Sequence, residues 1–212
     1  MDTLQALSLA MGAAWTSGIN LYATVAALGI AGRMQMIQLP AGLDVLTHPA
    51  VIAVACIMYL IEFFADKVPY VDNGWDVVHT FIRVPAGAIL AARSLGDLNP
   101  PLEVAALLAG GAVALAAHGA KTTTRLALNV SPEPFSNWFA SVTEDLAVLG
   151  SIWMIFHYPL LMLILVAAFL ALIVWLTPKL LRLAKRGFQA LRDRMRGVKP
   201  DQPAPTGSPQ LG

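Results

Sequence analysis

From Thr3 to Gly32 the chain carries no charged residue. As a single helix that run would measure roughly 45 Å at about 1.5 Å per residue, more than the roughly 30 Å of a bilayer's hydrocarbon core. Thr16-Ser17-Gly18-Ile19-Asn20 interrupts it with glycine and small polar side chains, which predicts a break. A second apolar run opens at Thr47-His48-Pro49, with Thr47 as the expected cap and Pro49 in the first turn, and closes on Glu62 and Asp66. The third, from about Trp75 to Leu95, is weaker: Asp72, Asp76, His79 and Arg83 trace one polar stripe at helical spacing while Trp75, Val78 and Ile82 lie on another face. Pro85 and Gly87 then predict an amphipathic turn or two leading into a short span.

After the Asn99-Pro100-Pro101 loop a fourth span runs from Leu102 to Ala117 and meets a second polar interruption, His118-Gly119-Ala120-Lys121-Thr122-Thr123-Thr124-Arg125. The uncharged run from Leu146 to Pro178 exceeds one membrane thickness and is divided at His157-Tyr158-Pro159. It predicts a fifth helix from about Ser136 to Phe156 and a sixth from about Pro159 to Leu176. Beyond Pro178, Leu180, Ala184, Phe188, Leu191 and Met195 form the apolar face of a basic helix suited to an anionic leaflet. The expected architecture is an all-α, polytopic transmembrane bundle of about six spans over 1–178, an interfacial helix over 179–198 and a disordered tail over 199–212.

Composition sharpens this picture. With 57% hydrophobic and 13% charged residues, a soluble domain would lack a charged shell. The net charge of +1 hides an asymmetry: eight of the 14 basic residues follow position 178, which leaves six against eleven acidic ones before it. That is the positive-inside pattern; it places the C-terminus, and with six spans the N-terminus, in the cytoplasm of an inner-membrane protein. Lys67, Lys121 and Arg125 then lean inward, and Arg33 and Arg93 face out. The basic tail directly follows an apolar span, so a bilayer with anionic lipids is the expected partner and nucleic acid is not. Met1-Asp2-Thr3 lacks the basic start of a cleaved signal, and Cys56 alone offers no disulfide or thiolate cluster.

The two interruptions resemble each other. A shift of 101 residues lays Ser17-Gly18-Ile19-Asn20 over His118-Gly119-Ala120-Lys121 and Thr24 over Arg125, each after a Gly- and Ala-rich stretch. The expectation is a 3+3 inverted repeat, 3–95 and 102–178, with a broken first helix in each half. An unwound turn leaves peptide groups that lipid cannot satisfy, so protein, water or a solute must do so. A half-helix starting after Gly119 would present free N–H groups beside Lys121 and Arg125, opposite Ser17, Asn20 and Thr24, with His118 adjacent. This is a candidate anion site; the alternative is a helix end that binds lipid phosphates. The P-loop is excluded, because Ala120 and Leu115 stand where it requires glycines.

Glu62, Asp66, Glu144 and Asp145 are candidate coupling carboxylates; the competing reading pairs Glu62 or Glu144 with Arg83, Lys121 or Arg125. The scattered His48, His79, His118 and His157 give no metal-ligand spacing, and no cofactor is expected.

Gly18-Ile19-Asn20-Leu21-Tyr22, the stretch Glu62-Phe63-Phe64-Ala65-Asp66-Lys67-Val68-Pro69 with Asp72-Asn73-Gly74-Trp75-Asp76, and His118-Gly119-Ala120-Lys121 carry a family resemblance. Over about 5–175 the chain resembles a bacterial integral-membrane family, domain of unknown function 4126. The resemblance implies a multi-pass domain of the cytoplasmic membrane and no activity. The leading function is a small secondary transporter for an anionic or zwitterionic solute or lipid, as a monomer or homodimer. The alternative is a non-transporting scaffold or accessory subunit. A lipid-head-group enzyme using Asp72, Asp76 and His79 would lack any recognisable motif, so no enzyme is expected.

Overall fold

The computed structural model describes residues 1–67, 71–129 and 134–195. Among them the chain is all-helical: α1 Thr3–Arg33, a 3-10 helix Ala41–Thr47, α2 Pro49–Ala65, α3 Val71–Ser94, α4 Pro100–Asn129, α5 Pro134–His157 and α6 Pro159–Met195. Two compact units divide it, Met1–Ala171 and Leu172–Gly212.

Helix α1 is the axis of the first unit, packed against α2, α3, α4 and α5. Its freedom from charge and its many small residues let it be enclosed: Leu9, Ala10, Ala13, Ala14 and Leu28 are wholly buried. Helices α3 and α4 form the tightest pair, joined through Gly96 at φ +78°, the left-handed turn that glycine adopts without strain. Their seam is built of small residues: a Cβ added at Gly87 would meet Ala114, and one at Gly110 would meet Ala91.

The apolar side chains mostly face outward. Phe81 is 80% exposed, Leu108 70% and Phe135 85%, whereas Asp76 and Arg83 are wholly buried. Helix α2 states the arrangement most sharply, for Ala55 and Glu62 are its only fully buried residues. An apolar exterior around a polar interior suits lipid as solvent.

Among the described residues, three helices are long and apolar enough to cross a membrane, Pro100–Leu128, Phe135–His157 and Pro159–Arg182, and a fourth arises if the 3-10 helix and α2, bent by 67°, form one broken span. The fold is compatible with a membrane protein, with fewer such helices than the six spans expected.

Several boundaries differ from the sequence pattern. His48, rather than Thr47, caps α2: its Nδ1 accepts from the Ala50 amide at 3.2 Å, while the Thr47 hydroxyl turns back to the Asp44 carbonyl. Helix α3 is continuous through Pro85, with no separate amphipathic turn. Helix α6 likewise continues through Pro178, where the Thr177 hydroxyl donates to the Ile173 carbonyl at 2.7 Å, beside the carbonyl that proline leaves unpaired. In the second unit the Lys179 ammonium lies 2.9 Å from the centre of the Trp175 ring. The expected apolar face at Ala184, Phe188, Leu191 and Met195, and the expected disordered tail, fall outside the described residues.

Candidate functional site: a buried charge network beside a broken helix

Helix α1 breaks at Asn20, whose φ of −148° and ψ of 99° are extended. Side chains supply partners at the break. The Asn20 side chain accepts from the Ala23 amide at 3.0 Å, as an N-cap does, so the second half of α1 starts there. Thr24 donates to the Asn20 carbonyl at 2.8 Å, and Arg83 reaches the Gly18 carbonyl at 3.5 Å. A Cβ at Gly18 would collide with the Ala114 carbonyl, so glycine here lets the break lie against α4.

Around it, α2, α3, α4 and α5 bring charges together. Arg83 pairs with Glu62 at 2.5 Å and Asp76 at 3.4 Å. Lys121 lies 2.9 Å from Asp66, 3.4 Å from Glu62, 3.5 Å from Glu144 and 3.9 Å from Asp76. Arg125 grips Glu144 in a fork, Nε at 3.0 Å and Nη2 at 2.7 Å, and donates to the Asp66 and Asn137 carbonyls. Among the described residues, four carboxylates thus share three cations.

His118 is neutral by its contacts. Arg83 donates to His118 Nδ1 at 3.1 Å, which requires a bare Nδ1, and His118 Nε2 donates to the Asp76 carbonyl at 3.0 Å. His79 Nδ1 donates to the Trp75 carbonyl at 2.8 Å, and its Nε2 is hydrogen-bonded to the Tyr22 hydroxyl at 3.0 Å.

Among the described residues the network therefore holds one carboxylate more than it holds cations. A net charge this deep costs many kcal/mol unless a proton or a bound cation balances it. Glu62 Oε2 and Asp66 Oδ1 are buried acceptor oxygens without a hydrogen-bond partner, which is where a proton fits.

Two further charges, Asp145 and Lys67, lie beside the network. Asp145 accepts from Asn20 at 3.2 Å and from the Tyr59 hydroxyl at 3.0 Å. Nearby, Lys67 donates to the Phe63 carbonyl at 2.9 Å and to the Ser141 hydroxyl at 3.4 Å, with its ammonium over the Phe63 and Trp138 rings. Burial pushes the Lys67 ammonium below the usual lysine range, opposed by the charges of Asp145 and Asp66.

Next to the network lies a groove of about 500 Å³ between α4 and α5. Trp15, Ile19, Leu128, Phe139 and Phe169 line it, and Lys121 and Glu144 are the charged residues that reach it.

Most of the candidate residues converge here. Asn20, His118, Lys121, Arg125, Glu62, Asp66, Glu144, Asp76, His79 and Arg83 meet in one interior, with Asp145 at its edge. Ser17 and Thr24 do not face an open site; their hydroxyls donate to the Ala14 and Asn20 carbonyls of their own helix. The side chain of Asp72 lies outside the described residues.

One structural expectation is corrected. Helix α4 runs unbroken across His118-Gly119-Ala120-Lys121, so no half-helix N-terminus and no free N–H groups exist there. Its cations are satisfied by carboxylates, and nothing lies within 4 Å of where a Gly119 Cβ would stand, so no steric demand unwinds the helix. The burial of Lys67, Lys121 and Arg125 also removes them from the charge count of the loops. Tyr59 and Lys67 are site residues that the sequence reading missed. Tyr59 stands one turn before Glu62, on the face shared with Asp66, a spacing that could have revealed it.

Among the described residues, no group of three or more His, Cys, Asp or Glu is arranged to hold a metal ion. No curated protein and no solved structure matches the chain. A family profile does, over residues 7–179, from the first turns of α1 past the last apolar turns of α6, and the chain belongs to the family described as Domain of unknown function (DUF4126).

Proposed function

We propose that this chain is a small secondary carrier of the cytoplasmic membrane whose buried network holds one exchangeable proton and trades it against an anionic or zwitterionic solute or lipid. The observation that carries this reading is the excess of carboxylates: Glu62, Asp66, Asp76 and Glu144 against Arg83, Lys121 and Arg125, in an interior without bulk water. Ionisable groups at such depth are costly, and proton relays are a recurrent reason for keeping them. The Asn20 break sits against the network and gives α1 a joint about which its halves can shift.

In this reading α1 to α6 all cross the bilayer, α1 and α3 sheltered by the others, with α1–α3 and α4–α6 as oppositely directed halves and the basic C-terminus in the cytoplasm. Lys121 is the group that exchanges partners, because three of its four carboxylate contacts are 3.4 Å or longer and none has the forked geometry of Arg125 on Glu144.

The test is proteoliposomes loaded with a pH-sensitive dye and challenged with small anionic and zwitterionic solutes. Solute-driven proton movement that disappears in Glu62→Gln supports the carrier. Proton movement unchanged in Glu62→Gln and in Lys121→Ala removes the network from the mechanism.

A non-transporting scaffold is the second reading, favoured by the fact that Arg83, Lys121 and Arg125 all already have carboxylate partners. It requires a stoichiometric protein partner and no thermal stabilisation by any solute.

A further inference from the structure

The groove between α4 and α5 meets the charge network at Lys121 and Glu144. Its walls are apolar and aromatic, and it is a surface groove: Phe139 at its rim is 77% exposed. In a chain with an apolar exterior such a groove opens on lipid rather than water. At about 500 Å³ it falls in the range of small-ligand sites.

Its charges select among lipids. Among the described residues, Lys121 and Glu144 are the charged ones in its lining, opposite in sign and 3.5 Å apart. A purely anionic head group would enter a neighbourhood where carboxylates already outnumber cations. A purely cationic one would meet Lys121. A head group carrying both signs matches the pair, its ammonium against Glu144 and its phosphate against Lys121, and adds no net charge to the interior. Glu144 is the better exposed of the two, its side chain 17% accessible against 2% for Lys121, so the ammonium is met first. Trp15, Phe139 and Phe169 line the same groove, and aromatic rings attract an ammonium.

We infer that this groove binds a zwitterionic phospholipid from the surrounding leaflet, with its phosphate–ammonium head at Lys121 and Glu144 and its acyl chain along α5. The inference rests on the carrier reading and names the substrate class of that site.

The test uses the full chain in lipid nanodiscs with trace amounts of three probes bearing the same photoreactive acyl chain: a phosphoethanolamine lipid, a diacylglycerol and a phosphatidic acid. The expected result is labelling of peptides from α5 by the zwitterionic probe about tenfold above the diacylglycerol, the preference that roughly 1.4 kcal/mol gives. Glu144→Gln removes the preference. Ala140→Trp and Thr143→Trp, which fill the groove from its half-exposed rim and leave the network intact, abolish the labelling. Equal labelling by diacylglycerol means ordinary boundary lipid and overturns the inference. So does preference for phosphatidic acid, or labelling that survives both tryptophan variants. Proton movement in proteoliposomes separates the two levels. Coupled proton movement with unselective labelling sinks the lipid assignment alone, and selective labelling without it leaves a lipid site and sinks the carrier.

Discussion

Arg83 of α3 reaches across to Glu62 of α2 at 2.5 Å, and both side chains are wholly removed from solvent. Helix α2 buries little else, so this pair and Lys121 tie an otherwise lipid-suited helix to the bundle. A buried ion pair broken on one side leaves an uncompensated charge, at a cost of about 3–5 kcal/mol. Arg83→Met therefore lowers the unfolding free energy by about that amount. The double variant Glu62→Leu with Arg83→Met recovers part of the loss. Additive losses in a double-mutant cycle of denaturant unfolding would show that the two residues are not coupled.

Asn20 both caps the second half of α1 and holds Asp145. Asn20→Ala removes both contacts and costs about 1–2 kcal/mol, the range for a lost cap. Asn20→Ser keeps the cap and loses only the link to Asp145, so it falls between wild type and alanine in melting temperature. Asn20→Asp places a second carboxylate beside Asp145 and is the most harmful of the three.

Two glycines separate packing from flexibility. Gly18→Ala pushes a methyl group into the Ala114 carbonyl and forces α1 off α4, at about 1–3 kcal/mol for overpacking. Gly119→Ala meets nothing within 4 Å in an unbroken helix and stabilises α4 by up to about 1 kcal/mol. Thermal unfolding of both variants checks the contrast. A Gly119→Ala protein that is less stable would restore the break in α4.

The sequence exposed the parts of this site better than their connections. A break at Asn20 was legible because glycine and small polar residues interrupt an uncharged run, and the break stands at Asn20. The same local signal at His118-Gly119 led to a second break that does not exist. The difference is tertiary: α4 has carboxylates from α2, α3 and α5 around Lys121 and Arg125, and a helix whose polar side chains are satisfied has no reason to unwind. The polar stripe of α3 was visible by its spacing, yet spacing alone did not say that it faces inward while Phe81 faces out. Lys67, Lys121 and Arg125 look like loop cations in one dimension, and only the fold shows them buried. Charge pairing across helices is long-range information, and hydropathy along the chain does not contain it.

The central claim is a proton count, and infrared spectroscopy of the purified protein at neutral pH tests it most directly. Among the described residues four carboxylates surround three cations, which favours a protonated carboxyl group in the interior, and Glu62→Gln leaves three against three. The account predicts a carbonyl band of a neutral, slowly exchanging carboxyl in the native protein and its loss in Glu62→Gln. A native spectrum without that band, or an unchanged band in the variant, would contradict it.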